Sequence, residues 1–170
     1  TSVARSGAAK FSACGEYRYL LTREFGGEAT CVFVMLNPST ADAERDDPTI
    51  RRCIGFARRE GFGRLEIVNL YGLRATKPAV LFASEDPVGP GNDRWLEESL
   101  GRANTVVVAW GNHVKPERVA SVMEMITGVG TPVVCFGLTG RGQPGHPLYL
   151  RLDAELVDYR HAEPSSGPLS

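Results

Sequence analysis

Closely spaced metal ligands and paired cysteines are missing from this sequence. The four cysteines of the 170 residues, Cys14, Cys31, Cys53 and Cys135, form no C-x-x-C pair, which argues against zinc and iron–sulfur sites built on neighbouring thiols. Cys31, Cys53 and Cys135 sit in apolar patterns, where buried reduced thiols of a cytoplasmic protein are expected. No apolar run reaches the roughly 18 residues of a membrane span, and the first residues carry no secretory signal pattern. An excess of one charge is missing too: 19 Lys and Arg face 20 Asp and Glu, a net charge of −1. This excludes a uniformly basic body held to nucleic acid or membrane by bulk electrostatics, but not a local basic face. There is no Walker loop, no H-x-E with C-x-x-C deaminase pattern and no G-x-S-x-G elbow. Gly-x-Gly occurs at Gly89–Gly91 and Gly140–Gly142, but neither follows a strand and opens a helix as a dinucleotide loop would.

What is present describes an ordinary globular chain, 42% hydrophobic and 23% charged, of a length that fits one domain. Residues 1–162 read as that domain, and residues 163–170, rich in Ser, Pro and Gly, as a disordered tail. A β-rich Tyr17–Phe25, the turn candidates Gly26-Gly27 and the apolar run Cys31–Leu36 predict an N-terminal hairpin. Alternation follows. Ile50, Cys53, Ile54 and Ala57 make Thr49–Glu60 an amphipathic helix, with Asp47 as N-cap and Pro48 at the first helical position. Strands are predicted at Arg64–Leu70, Asn104–Trp110 and Thr131–Phe136, and helices at Asp93–Gly101 and Pro116–Thr127. Apolar strands separated by helices predict a three-layer α/β/α domain around a mostly parallel four-stranded sheet.

Such sheets bind ligands outside the carboxyl ends of their strands. The predicted strand ends carry Asn37-Pro38-Ser39-Thr40-Ala41-Asp42, Asn69-Leu70-Tyr71, Trp110-Gly111-Asn112-His113 and, past Gly137, Gly145-His146-Pro147. Each has a plainer reading. Asn37 before Pro38 can start a turn, His113 can be a solvated loop residue, and His146 can be a loop-packing residue. Asn69, inside an apolar strand, is harder to dismiss, because a buried amide needs partners that Val would not. Asp42, Glu44, Asp46 and Asp47 can form a metal or general-base cluster, although capping and helix-dipole compensation explain them more simply. His161, near the tail, has no evident role.

The strings Met35–Asp42, Asp46-Asp47-Pro48-Thr49, Asn69-Leu70-Tyr71, Asp86–Pro90, Trp110-Gly111 and Gly145–Tyr149 resemble a bacterial and phage family of unknown function, DUF1643, over roughly residues 15–151. A more distant likeness is to the uracil-DNA glycosylase superfamily. Its motifs run in the order of a G-x-N-P type strand end, an Asn at a following strand end, and an H-P motif after the last strand. Here Leu36-Asn37-Pro38, Val68-Asn69-Leu70 and His146–Arg151 stand in those places. Ser39 and the Ser-Thr-Ala-Asp extension depart from that pattern, and no base-stacking aromatic can be assigned.

That likeness implies a glycosylase-like fold and roles for individual residues. Asn37 would position the attacking water and Asn69 would read a base edge. His146 would stabilise charge on the departing base, and Leu148 and Tyr149 would lie by the loop that wedges into DNA. Pro38, Ser39, Thr40, Tyr71, Gly111 and Asn112 complete the expected substrate pocket, and no cofactor or metal is required. The leading expectation is therefore an N-glycosidase-like hydrolase acting on a base in DNA or in a nucleoside or nucleotide. Against it stand a non-catalytic base- or nucleotide-binding module, and a metal-dependent hydrolase or transferase built on Asp42, Asp46 and Asp47. Charge adds to the first: residues 51–77 carry seven Lys/Arg and two Glu, whereas residues 78–101 carry one Arg and five acids. No membrane partner is expected, and the oligomeric state is not readable.

Overall fold

Strands that are apolar without alternation must be covered on both faces, and the computed structural model, which describes residues 6–159, arranges them so. The strands are β1 (Ser6–Phe11), β2 (Arg18–Glu24), β3 (Thr30–Met35), β4 (Arg64–Asn69), β5 (Thr105–Val108), β6 (Val133–Cys135) and β7 (Val157–Asp158). They form one seven-stranded sheet in the order β1-β2-β4-β3-β5-β6-β7. The inner four, β4-β3-β5-β6, are parallel, and the flanking pairs are antiparallel. The expected tail and His161 fall outside the described residues.

Helix α1 (Pro48–Arg59) covers one face; α2 (Pro78–Ala83), α3 (Asn92–Arg102) and α4 (Pro116–Val129) cover the other. Alternate residues of one strand enter opposite cores. Cys31, Phe33, Met35, Leu65 and Ile67 pack with Ile50, Cys53, Phe56 and Ala57 of α1. Val32, Val34, Val68 and Val106 pack with Leu81, Leu96, Leu100, Val122 and Ile126. The α1 start is as predicted, with Pro48 at the first turn and the Asp47 side chain accepting from Ile50 N at 2.9 Å. The three apolar-pattern cysteines are buried, and burial pushes the Cys31 thiol up to about 12.

The N-terminal hairpin exists, but its strands differ from those expected. It joins β1 to β2 through a turn closed by Ser12 N–Tyr17 O, and β4 lies between β2 and β3. Gly26-Gly27 is therefore not a hairpin turn. A Cβ on Gly63, at the entry to β4, would overlap the backbone of Gly27, so the glycines there permit two backbones to pass in contact. Strand β1 and the short helix α2 carried too little apolar periodicity to be predicted.

An irregularity in the β1–β2 pairing shapes the site. Lys10 pairs with Leu20, but Phe11 pairs with Arg18, which leaves Tyr19 as an extra residue. Leu20 enters the α3 side of the core and the Tyr19 hydroxyl accepts from Gly91 N, whereas the Arg18 guanidinium reaches Ala41 O near the start of α1. Bulges of this kind re-aim a side chain.

Candidate functional site

Counting only the parallel strands, the chain runs from β3 outward to β4, then returns to the other side of β3 with β5. The order reverses between β3 and β5, and the segments leaving those two strands diverge into a crevice. A cavity of about 420 Å³ opens there. Arg18, Met35, Leu36 and Trp110 are buried in its walls, and Thr40, His113 and Tyr149 stand exposed.

Nine of the eleven residues of the expected glycosylase-like pocket line this one cavity: Asn37, Pro38, Ser39, Thr40, Gly111, Asn112, His146, Leu148 and Tyr149. Two do not. Tyr71 belongs to the core on the α3–α4 face, where its hydroxyl accepts from Lys115 N and its ring meets the edge of Phe82. Asn69 is fully buried and neither its Oδ1 nor its Nδ2 has a hydrogen-bond partner. Alternation places its side chain on the α1 face with Ile67, and its register partner Met35 does reach the cavity.

The geometry of each lining side chain limits its chemistry. Asn37 Nδ2 donates to Ala75 O at 2.8 Å, Pro38 O at 3.0 Å and Leu73 O at 3.3 Å. It clamps the loop after β3 to the loop after β4, and only its Oδ1 is left without a partner. Asn112 Oδ1 accepts the Thr139 hydroxyl at 2.6 Å, which leaves its Nδ2 to donate. Gly111 (φ 74) is left-handed and close to His146, whose Cβ lies 3.3 Å from where a Cβ on Gly111 would be. The His146 loop is held by Gly111 N–Pro144 O and Gly145 N–Gly137 O, and Trp110 Nε1 donates to Gln143 Oε1.

His146 Nδ1 accepts from Leu148 N at 3.2 Å. A nitrogen that accepts carries no proton, so Nε2 bears the hydrogen of the neutral ring. Burial pulls its pKa down to about 4, against the opposing pull of Asp47. Near neutral pH it is an uncharged donor. The exposed Tyr149 ring lies 5.7 Å from the imidazole at the cavity mouth.

The acidic cluster does not converge. Asp42 accepts from Glu44 N and Arg45 N, Asp46 pairs with Arg23 at 2.9 Å, and Asp47 takes Ile50 N on one oxygen and Ala41 N on the other. Among the described residues no group of three or more His, Cys, Asp or Glu gathers as a metal site would require. Capping and loop closure account for all three aspartates.

Sequence reasoning missed Arg18. It is 1% exposed, lines the cavity, and is not in any ion pair among the described residues. An Arg in a β-rich stretch carries no signal of its own, because its direction depends on the extra residue in β2.

The fold defines an α/β domain with a cavity at the reversal of its parallel strand order. The chain belongs to a family described as "Protein of unknown function (DUF1643)", whose model matches residues 18–148. No match was found among curated proteins or among solved structures. No helix of the described residues is long and apolar enough to cross a membrane.

Proposed function

We propose that the protein is a nucleobase-processing, N-glycosidase-like hydrolase with its reaction centre in the β3–β5 crevice. One observation carries this reading. Asn37 and His146, more than a hundred residues apart in the sequence, line the same cavity, with one free acceptor and one free donor between them. Hydrolysis breaks the sugar–nitrogen bond and forms a sugar–oxygen bond to a positioned water; negative charge builds on the departing base, which finally takes up the proton that the water loses. Asn37 Oδ1 orients the attacking water by accepting one of its hydrogens. The Nε2–H of His146 donates to the developing anion, the preorganised stabilisation such a step needs. Asn112 Nδ2 donates to the base edge, a role that Asn69 cannot serve without reaching the cavity. Tyr149 offers the stacking face at the mouth. The likeness to uracil-DNA glycosylases supports the order of these motifs and extends, in this reading, to the arrangement of the sheet.

The test is base release from single- and double-stranded oligonucleotides and from nucleosides carrying varied modified bases. Asn37→Ala and His146→Ala are each expected to lower release by about 10²-fold or more. Release that survives both substitutions unchanged would remove the assigned site.

A second reading is favoured by the engagement of Asn37 Nδ2 with three carbonyls, which resembles a structural clamp. The protein would then be a non-catalytic base- or nucleotide-binding module, and its ligand would raise the melting temperature without being consumed.

A further inference from the structure

A guanidinium has five N–H donors and a permanent charge, so burying one without a carboxylate is costly unless something else supplies the acceptor. Arg18 is in that position. Nη1 donates to Ala41 O at 3.0 Å, and Nε has no partner. The carboxylate whose charge acts on it, Asp47, lines the same cavity but makes no ion pair with it, and its two oxygens accept the N–H groups of Ala41 and Ile50 instead. The other charges facing Arg18 are guanidiniums. Arg23 is occupied by Asp46, Asp42 O and Arg45 O, and Arg74 by Ser39 O. Both work against the charge of Arg18, and its burial works against it more strongly.

We propose that Arg18 is the anion-recognition residue of the cavity, and that the ligand carries a carboxylate or phosphate group which accepts from the Arg18 guanidinium. The bulge at Tyr19 sets the guanidinium in the cavity wall, and the anion supplies the partner that the protein withholds. A charge-assisted bond to a buried guanidinium is of the stronger kind. Asp47 opposes the anion, but its charge is already stabilised by two N–H groups and by the Arg18 charge itself. The identification of the ligand as an oxyanion does not require it to be a nucleotide. Where the ligand is one, its phosphate or an acidic substituent on its base meets Arg18.

The experiment uses the whole protein with inorganic phosphate, acetate, a nucleoside 5′-monophosphate and the matching uncharged nucleoside. Thermal stability is followed in buffer free of other oxyanions, and the Arg18 Nε–H resonance is followed by NMR on wild type. At least one of the three anions is expected to raise the melting temperature and shift that resonance. Arg18→Lys should weaken the anion by about tenfold or more. Arg18→Met should abolish its effect while leaving the ligand-free protein at least as stable, since an unpaired buried charge has been removed. If no anion moves the wild-type Nε–H resonance or melting temperature, the proposal fails, whether or not the variants fold. Response to the uncharged nucleoside alone also overturns it and leaves the nucleobase reading standing. Response to phosphate or acetate with none to any nucleoside supports it and counts against the nucleobase reading.

Discussion

His146 is the residue whose surroundings say most about pH. Its ring is neutral in the folded chain, with the pKa drawn down to about 4 by burial, whereas an unfolded histidine titrates near about 6.5. Between those values the unfolded chain binds more protons, so folding stability rises with pH across the window and falls as the solution is acidified through it. Protonation would also turn Nδ1 into a donor facing the Leu148 N–H. The melting temperature of wild type is therefore expected to drop from pH 6.5 towards 4 more steeply than that of His146→Gln. Equal slopes would show that the imidazole is not held neutral. Asn37 illustrates a different limit. An Asn-Pro pair at a strand end marks a site from the sequence, but its side-chain nitrogen turns out to bridge Pro38, Leu73 and Ala75 carbonyls. An Asp there would set a carboxylate against those oxygens, so Asn37→Asp should be less stable than Asn37→Ala by about 1–2 kcal/mol, readable by urea denaturation.

Among the elements, α1 was legible almost to the residue, because an Asp-Pro start and an apolar stripe are local properties. The four parallel strands were legible for the same reason: short apolar runs rich in Val and Ile announce burial on both faces. The partner of β2 was not. Its pairing with β4 rather than β3 is decided by which edge the next strand joins, and two glycines far apart in sequence permit the close pass. Gly63→Ala should lower stability by about 2–3 kcal/mol through backbone overlap with Gly27. Gly55→Ala, mid-helix in α1 with open space around its Cβ position, should raise stability by about 0.5–1 kcal/mol. Equilibrium unfolding in urea reads both, and a harmless Gly63→Ala would mean that the two backbones do not pass in contact. The buried Glu66 of β4 shows the opposite balance to Arg18. Burial would raise its pKa, but hydrogen bonds from Arg102, Ser99 and Arg64 outweigh that and lower it.

Across the whole molecule, the near-zero net charge conceals an uneven surface. A second hollow of about 490 Å³ adjoins α1, lined by Arg51, Arg52 and Arg59 with Leu148 and Leu152, and it shares Pro48 and Leu148 with the crevice. The exposed Leu152 stands with these arginines, and the exposed Tyr149 lines the adjoining crevice. If the substrate base is in DNA, this is the face for the phosphate backbone, and binding should weaken steeply as salt rises from roughly 50 to 200 mM. Arg51→Glu should then lower affinity for all sequences alike and reduce the salt slope by roughly 1 or more, as measured by fluorescence anisotropy. An unchanged slope would separate this surface from nucleic acid.

The sequence by itself determined the α/β class, the parallel strands, the starts of α1, α3 and α4, and the segments after the strands that carry Asn37, Gly111, Asn112 and His146, because these follow from local periodicity and from the rule on strand ends. Tertiary structure alone decided which of those ends share a cavity. It turned Tyr71 into the opposite core, kept Asn69 beneath the lining and engaged the aspartates with backbone amides. It also brought Arg18 into the wall. Such outcomes depend on strand order and on one extra residue in β2, which are set by contacts between distant segments.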